Sequence, residues 1–227
     1  MRLLALDTAT ECCSAALLVQ GRLLTREALL VRGHAERILP MVDELLGEAG
    51  MSLNGLDTIA FGRGPGSFTG VRLAASVTQG LAFGAGLGVV PISDLRALAQ
   101  RVFEEDPHVP RALVCNDARM QEVYWGCFER GGDGLAVERT AERVGPAGSV
   151  RLPHGWPEAA GVGRGLAAYP VLKALAGLSV KGHWDQLLPR AAEVALLAAP
   201  EAAAGRLLAP EAALPVYLRD DVARPPT

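Results

Sequence analysis

The sequence predicts an α/β protein built on mixed β-sheet. Three short runs with strand periodicity open the chain, and strands then alternate with helical stripes to about residue 103, giving the order βββαβαβα. A weaker set of three strands follows a polar, proline-bearing stretch. Of 227 residues, 50% are hydrophobic and 21% charged, with a mean hydropathy of +0.22, which supports a folded core and excludes a wholly disordered chain.

Residues 2–8, 14–19 and 22–28 are short apolar or alternating runs, and Gln20-Gly21 supplies a tight turn, so an antiparallel meander is expected. The opening apolar run stops at Asp7, short of the roughly 7 to 15 residues of a secretory core, which favours a buried first strand. Across residues 33–50, Ile38, Met41, Val42, Leu45, Leu46 and Ala49 fall on one helical stripe, and Gly50 offers a stop. Pro40 predicts either a kink there or an ordered helix beginning near Leu39. Residues 57–61 read as a strand, 67–83 as a helix, 87–91 as a strand and 93–103 as a helix, so the later strands should be parallel and covered by helices.

Residues 104–110 turn polar and carry two prolines, which places a boundary between a first lobe, 1–104, and a second, 105–227. In the second, 111–115, 123–128 and 135–139 read as strands. Glycine and proline crowd residues 145–165, and 166–178 and 191–204 are alanine-rich helix candidates.

Composition removes several functions. Twenty-two basic against 25 acidic residues give a net charge of -3, so no global positive field holds nucleic acid. No apolar stretch is long enough to cross a bilayer. Cys12, Cys13, Cys115 and Cys127 lack C-x-x-C spacing and read as apolar fillers in a reducing cytoplasm. The four histidines are scattered and form no metal-ligand motif, so no metal is assigned to this chain.

Asp7-Thr8 ends the first strand, where a carboxylate and a hydroxyl either orient a metal-bound phosphate or simply hydrogen-bond the next turn. The run GRGPGSFTGVR, residues 62–72, lies between strand and helix, with Gly64, Gly66 and Ser67 at its heart. It fits two readings: amides aimed at an anion, or glycines that permit close packing. It is neither a Walker A loop nor a dinucleotide fingerprint. Asp117 and Arg119 are either a polar pair facing a cleft or a solvated hairpin tip. The helix after the glycine loop carries Val71, Ala74, Ala75 and Thr78; with His34, Ile38, Met41 and Leu45 these are the candidate partner interface, core packing being the competing role.

Taken together, LLALDTATECCSAALL, GHAERILPMVDELL, AFGRGPGSFTGVRLAASVTQGLAFG, CNDARMQEVYW and PVYLRDDVA closely resemble the TsaB (YeaZ) family of bacterial tRNA threonylcarbamoyladenosine biosynthesis proteins, from Met1 to about Ala223. The resemblance implies a two-lobed actin-like ATPase (ASKHA) fold, each lobe an RNase H-like βββαβα core, with a late helix near 190–205 packing back on the first lobe. It implies a cytoplasmic, non-catalytic subunit that binds and activates a TsaD-type transferase, with a TsaE-type ATPase and tRNA joining the complex, and a homodimer when alone. ATP and a metal are then expected in the partner subunits, with no cofactor bound by this chain alone. Asp7, Thr8, Gly64, Gly66 and Ser67 become a vestigial phosphate loop. Where the catalytic relative carries a histidine-rich helix start, this chain has Val89-Val90-Pro91-Ile92-Ser93-Asp94-Leu95, without histidine. The Gly161-Val-Gly163-Arg164-Gly165 run is a weak candidate for adenosine binding. The rival reading is an ATP-dependent small-molecule kinase of the same superfamily; a glycoprotease lacks its residue constellation.

Overall fold

The computed structural model describes residues 1–219, so the end of the PVYLRDDVA motif, from Asp220, lies outside the described residues. The first sheet holds β1 (Arg2–Asp7), β2 (Cys12–Val19), β3 (Arg22–Leu29), β4 (Thr58–Gly62) and β5 (Gly88–Ile92), in the order β3-β2-β1-β4-β5. β1, β2 and β3 are antiparallel, whereas β4 and β5 run parallel to β1. Helices α1 (His34–Glu48), α2 (Phe68–Ala85) and α3 (Asp94–Glu105) complete this half.

The second sheet comprises β6 (Arg111–Asp117), β7 (Glu122–Arg130), β8 (Ala136–Glu138), β9 (Arg143–Pro146), β10 (Ala159–Val162) and β11 (Leu178–Ser179). Its order is β11-β10-β6-β7-β8, with β9 also paired to β7. The antiparallel β6-β7-β8 meander with parallel β10 and β11 repeats the topology of the first sheet. Two cores with the same sheet order, each of RNase H-like topology, therefore stand side by side. The single turns α4 (Gly165–Ala168) and α5 (Pro170–Lys173) and the longer α6 (Ala191–Ala203) are the remaining α-helices among the described residues.

Burial explains the patterns. β1 and β4 lie mid-sheet with both faces covered, so they read as continuous apolar runs, whereas edge strand β3 alternates. One core cluster, with Leu4, Leu6, Ile38, Met41, Leu45 and Phe61, fills the space between the first sheet and α1 and α2. A second joins both sheets through α3 and α6, with Leu3, Ala5, Leu98, Val114, Phe128 and Leu197 among its members. α6 packs on β1, β2, β4 and β5, and α3 packs on β6, β7 and β8. The third cluster lies on the far side of the second sheet.

Two elements depart from expectation. α1 begins at His34 instead of near Leu39, so of the two outcomes expected at Pro40 the late start is overturned; the proline's lost backbone bond lies on the exposed side of the helix. The helix expected over 166–178 is interrupted at Tyr169, because a residue preceding proline is pushed toward extended backbone, and Tyr169 has φ -127 and ψ 92. β9, β10 and β11 lie in or beyond the glycine- and proline-rich region, too short to show periodicity.

Candidate functional site

The glycine loop leaves β4 and is drawn onto the end of β1. Thr8 Oγ1 donates to the Gly70 carbonyl at 2.7 Å, and the Ser67 amide donates to the Ala9 carbonyl at 2.7 Å. Ser67 Oγ caps α2 by accepting from the Gly70 amide at 3.1 Å. A Cβ on Gly66 would sit 2.5 Å from the Ala9 carbonyl oxygen, and one on Gly70 would sit 2.1 Å from that of Thr8. The glycines are thus used for backbone-on-backbone contact. Gly70→Ala is expected to destabilise the fold by about 2 kcal/mol, since the Thr8 backbone and the capping Ser67 Oγ must both give way, as measured by urea denaturation.

Asp7 is fully buried and accepts from the Ala9 amide at 2.8 Å; Asp94, equally buried at the start of α3, accepts from the Gly64 amide. The two carboxyls meet beside Gly62, where a Cβ would lie 2.5 Å from Asp94 Oδ1 and 3.1 Å from Asp7 Cγ. Their remaining oxygens, Asp7 Oδ2 and Asp94 Oδ1, have no other partner, and one shared proton satisfies both. Burial pushes Asp7 up to about 6. Asp94 is raised well above the usual carboxylate range by burial, with the charge of Asp7 adding to it.

Glu142 ties the halves together. From the segment before β9 it reaches the first sheet, pairing with Arg63 at 3.2 Å and accepting from Ser93 Oγ. Its side chain is 5% exposed, and burial raises its carboxyl despite Arg63. Glu142→Ala strips both partners and is expected to cost about 1–3 kcal/mol in a thermal or urea melt, with Glu142→Gln recovering part of it.

A cavity of about 560 Å³ opens between the sheets, bordered by Thr10, His34 and Ser67 on one side and Asn116, Asp117 and Arg119 on the other. His34 Nε2–H donates to the Thr10 carbonyl at 2.9 Å, pinning the start of α1 to the β1–β2 turn. Asp117 and Arg119 form an ion pair at 3.1 Å, and the Tyr169 hydroxyl donates to Asp117 at 3.1 Å. The pair stands at a hairpin tip and borders the cavity at once.

The residues picked as a partner interface need correction. Ile38, Met41, Leu45, Ala74 and Thr78 are 0% exposed, and Val71 and Ala75 only 2% and 3%, all within the chain's own interior. The apolar stripe found by periodicity is the face that packs on the sheet, so a partner touching these helices meets their outer side. There α2 shows Ser76, Gly80, Phe83 and Gly84, and α1 shows Leu39. Nothing lies within 4 Å of a Cβ built on Gly80 or Gly84.

The family model described as "TsaD: tRNA N6-adenosine threonylcarbamoyltransferase" matches residues 28–224. The "tRNA threonylcarbamoyladenosine biosynthesis protein TsaB" of Escherichia coli (strain K12) is 41% identical over 225 residues, spanning 98% of this chain and 96% of that relative. This chain belongs to the TsaB family. The TsaB of Haemophilus influenzae is 54% identical over 125 residues, covering 55% of this chain and 52% of its own length. Among solved structures, "YeaZ from Pseudomonas aeruginosa" superposes with a TM-score of 0.88 at 44% identity, covering 96% of this chain and 99% of that one. Another, described as "an uncharacterized protein with similarity to peptidase YEAZ from Pseudomonas aeruginosa", gives 0.87 at 43% identity, with the same coverage.

Within this TsaB-family chain the structure brings Asp7, Thr8, Gly64, Gly66 and Ser67 into one cluster and sets Asp117 and Arg119 across the cavity from Ser67. Sequence reasoning missed Asp94 and Glu142 as members of the junction. Asp94 follows Ser93 as an ordinary helix start, and Glu142 precedes a stretch rich in glycine and proline, so neither carries a local signal. The glycines at 163 and 165 lie against the Cys115 carbonyl, where a Cβ would approach to 2.5 Å and 2.7 Å. Close packing explains that run.

Proposed function

We propose that this chain is a cytoplasmic, non-catalytic subunit for tRNA threonylcarbamoyladenosine biosynthesis, which docks on a TsaD-type transferase through the outer side of α1 and α2 and holds it in an active arrangement. Gly80 and Gly84 carry this reading. Glycine inside a helix costs roughly 0.5–1 kcal/mol relative to alanine, and nothing in the chain itself occupies the space beside either one. A second helix approaching closely gives both a use. The occupant is argued from kinship: the matching family model carries the transferase's own description, so a TsaD-type partner offers a corresponding helical flank for a pseudo-symmetric contact. The same surface serves a homodimer when the partner is absent. A TsaE-type ATPase and tRNA join through the complex, and ATP and the metal belong to the partner subunits.

The filled glycine loop supports a non-enzymatic role. Thr8 and Ser67 spend their side chains on the Gly70 backbone, and Asp7 is engaged by Ala9 and Asp94, so a phosphate has no open cradle there. Against a peptidase, all four cysteines are buried, and burial pushes Cys12 to about 12 and Cys13 and Cys127 to about 11, leaving their thiols protonated at neutral pH. Among the described residues no group of three His, Cys, Asp or Glu side chains is placed to hold a metal.

Reconstituting tRNA modification with and without this chain tests the reading. Modification should depend on it while the isolated chain turns over nothing. Turnover of Mg-ATP with a small-molecule acceptor by the chain alone would replace this reading with the kinase.

A further inference from the structure

Asn116, near the end of β6, is 7% exposed, and neither its Nδ2 nor its Oδ1 has a hydrogen-bond partner. Arg164 Nε is buried without a partner as well, although the same guanidinium pairs with Glu11 across the cleft at 3.2 Å. Both residues line a second cavity, of about 430 Å³, together with Thr10, Glu11 and Arg119. Asn116 borders the 560 Å³ cavity too, so the two spaces share one unsatisfied amide. No hydrogen bond joins Asn116 to Arg164.

The orphan atoms are two donors, Asn116 Nδ2 and Arg164 Nε, and one acceptor, Asn116 Oδ1. A carbonyl oxygen accepts two hydrogen bonds, and a neighbouring N–H gives one. Gly163 packs directly beside the acceptor, since a Cβ there would lie 2.8 Å from Asn116 Oδ1. On the opposite rim, Arg119, Met120 and Gln121 are three successive non-glycine residues with positive φ, of 62, 54 and 63°. Such backbone is unfavourable for residues with a Cβ and persists where the surroundings hold it. Arg119, 80% exposed, has N–H donors beyond those that meet Asp117.

We infer that the cleft between the two sheets binds a small molecule through a ureido or carboxamide edge, read by Asn116 and Arg164, with a carboxylate directed to Arg119. A ureido group on an amino acid supplies the carbonyl, the N–H and the carboxylate in one compact molecule. The choice of threonine as that amino acid rests on the proposed function; the edge itself does not.

The test is an NMR titration of the full chain with N-carbamoyl-L-threonine, following the Asn116 side-chain amide, with calorimetry for affinity. Saturable shifts of that amide with a Kd at or below about 1 mM are expected, weakened at least about tenfold by Asn116→Asp, which turns the donor into an acceptor. Arg164→Lys, which removes the Nε donor and keeps the charge, should weaken binding in the same direction and serves if the first variant does not fold. Silence of the Asn116 amide at about 10 mM probe overturns the inference, because water alone then satisfies the site. Unchanged affinity in both variants overturns it equally, and so does displacement of the probe by Mg-ATP at lower concentration. A chain that supports tRNA modification but does not bind the probe defeats this inference alone; one that binds without supporting modification defeats the proposed function alone.

Discussion

Gly80→Leu should leave the fold intact and abolish association with a TsaD-type subunit. The side chain enters open space on the isolated chain, so its effect on the monomer is small or favourable, because leucine is a far better helix former than glycine. In the complex it stands where a second helix must come close, and a loss of at least about a hundredfold in Kd, or roughly 2.7 kcal/mol, is expected. Gly80→Ala separates the two contributions: the melting temperature should rise by about 2–4 °C while affinity falls less. Ala75→Arg is the contrasting control. Its side chain points into the core at 3% exposure, so the charge should unfold the chain instead of blocking a contact. Thermal melts beside surface-plasmon affinities decide the matter, and a Gly80→Leu chain that binds with undiminished strength removes this face as the interface.

The second large effect lies at the carboxyl pair. With Asp7 raised to about 6 and Asp94 raised further, the native chain holds more protons than the unfolded one above the ordinary carboxylate range near 4. Stability contributed by the pair is therefore fully present in acid and is lost as pH rises through about 6 and beyond. Asp94→Asn keeps an oxygen for the Gly64 amide and presents a permanent N–H to Asp7. It should flatten this slope and stabilise the chain at pH 8 by about 1–3 kcal/mol. Asp94→Ala leaves the Gly64 amide unpaired and Asp7 alone in the interior, at a cost of about 3–5 kcal/mol near neutrality. Urea denaturation of the three chains from pH 5 to 8 gives the result; a parent chain whose stability rises over that range would contradict the shared proton.

The order of strands and helices through the first half was legible because each element repeats its periodicity over enough residues and ends on a glycine, a proline or a capping serine. Ser67 and Ser93 mark the starts of α2 and α3 in sequence and in structure alike. The cluster of Asp7, Thr8 and the glycine loop could be anticipated for the same reason, as successive strand ends of one sheet are brought together. What escaped was sidedness and long-range pairing. Periodicity shows that Ile38, Met41 and Leu45 share a face, but whether that face meets the sheet or a partner depends on what lies opposite. Asp94 joins Asp7 from 87 positions away, and Glu142 reaches Ser93 across 49, distances over which sequence alone carries no sign. The short strands β9 and β10 draw their order from β7 and β6, to which they add, and β11 from β10, more than from residues of their own.

The placement of α6 bears on how the chain must be made. Every strand of the first sheet has been synthesised by residue 92, yet the helix that seals its inner side ends at Ala203. Through most of synthesis Leu3, Ala5, Ala16 and Ile92 remain without their final cover. The nascent amino-terminal half is then a sticky intermediate until α6 is made, and a message cut short before residue 191 yields a product fit for a chaperone or a protease.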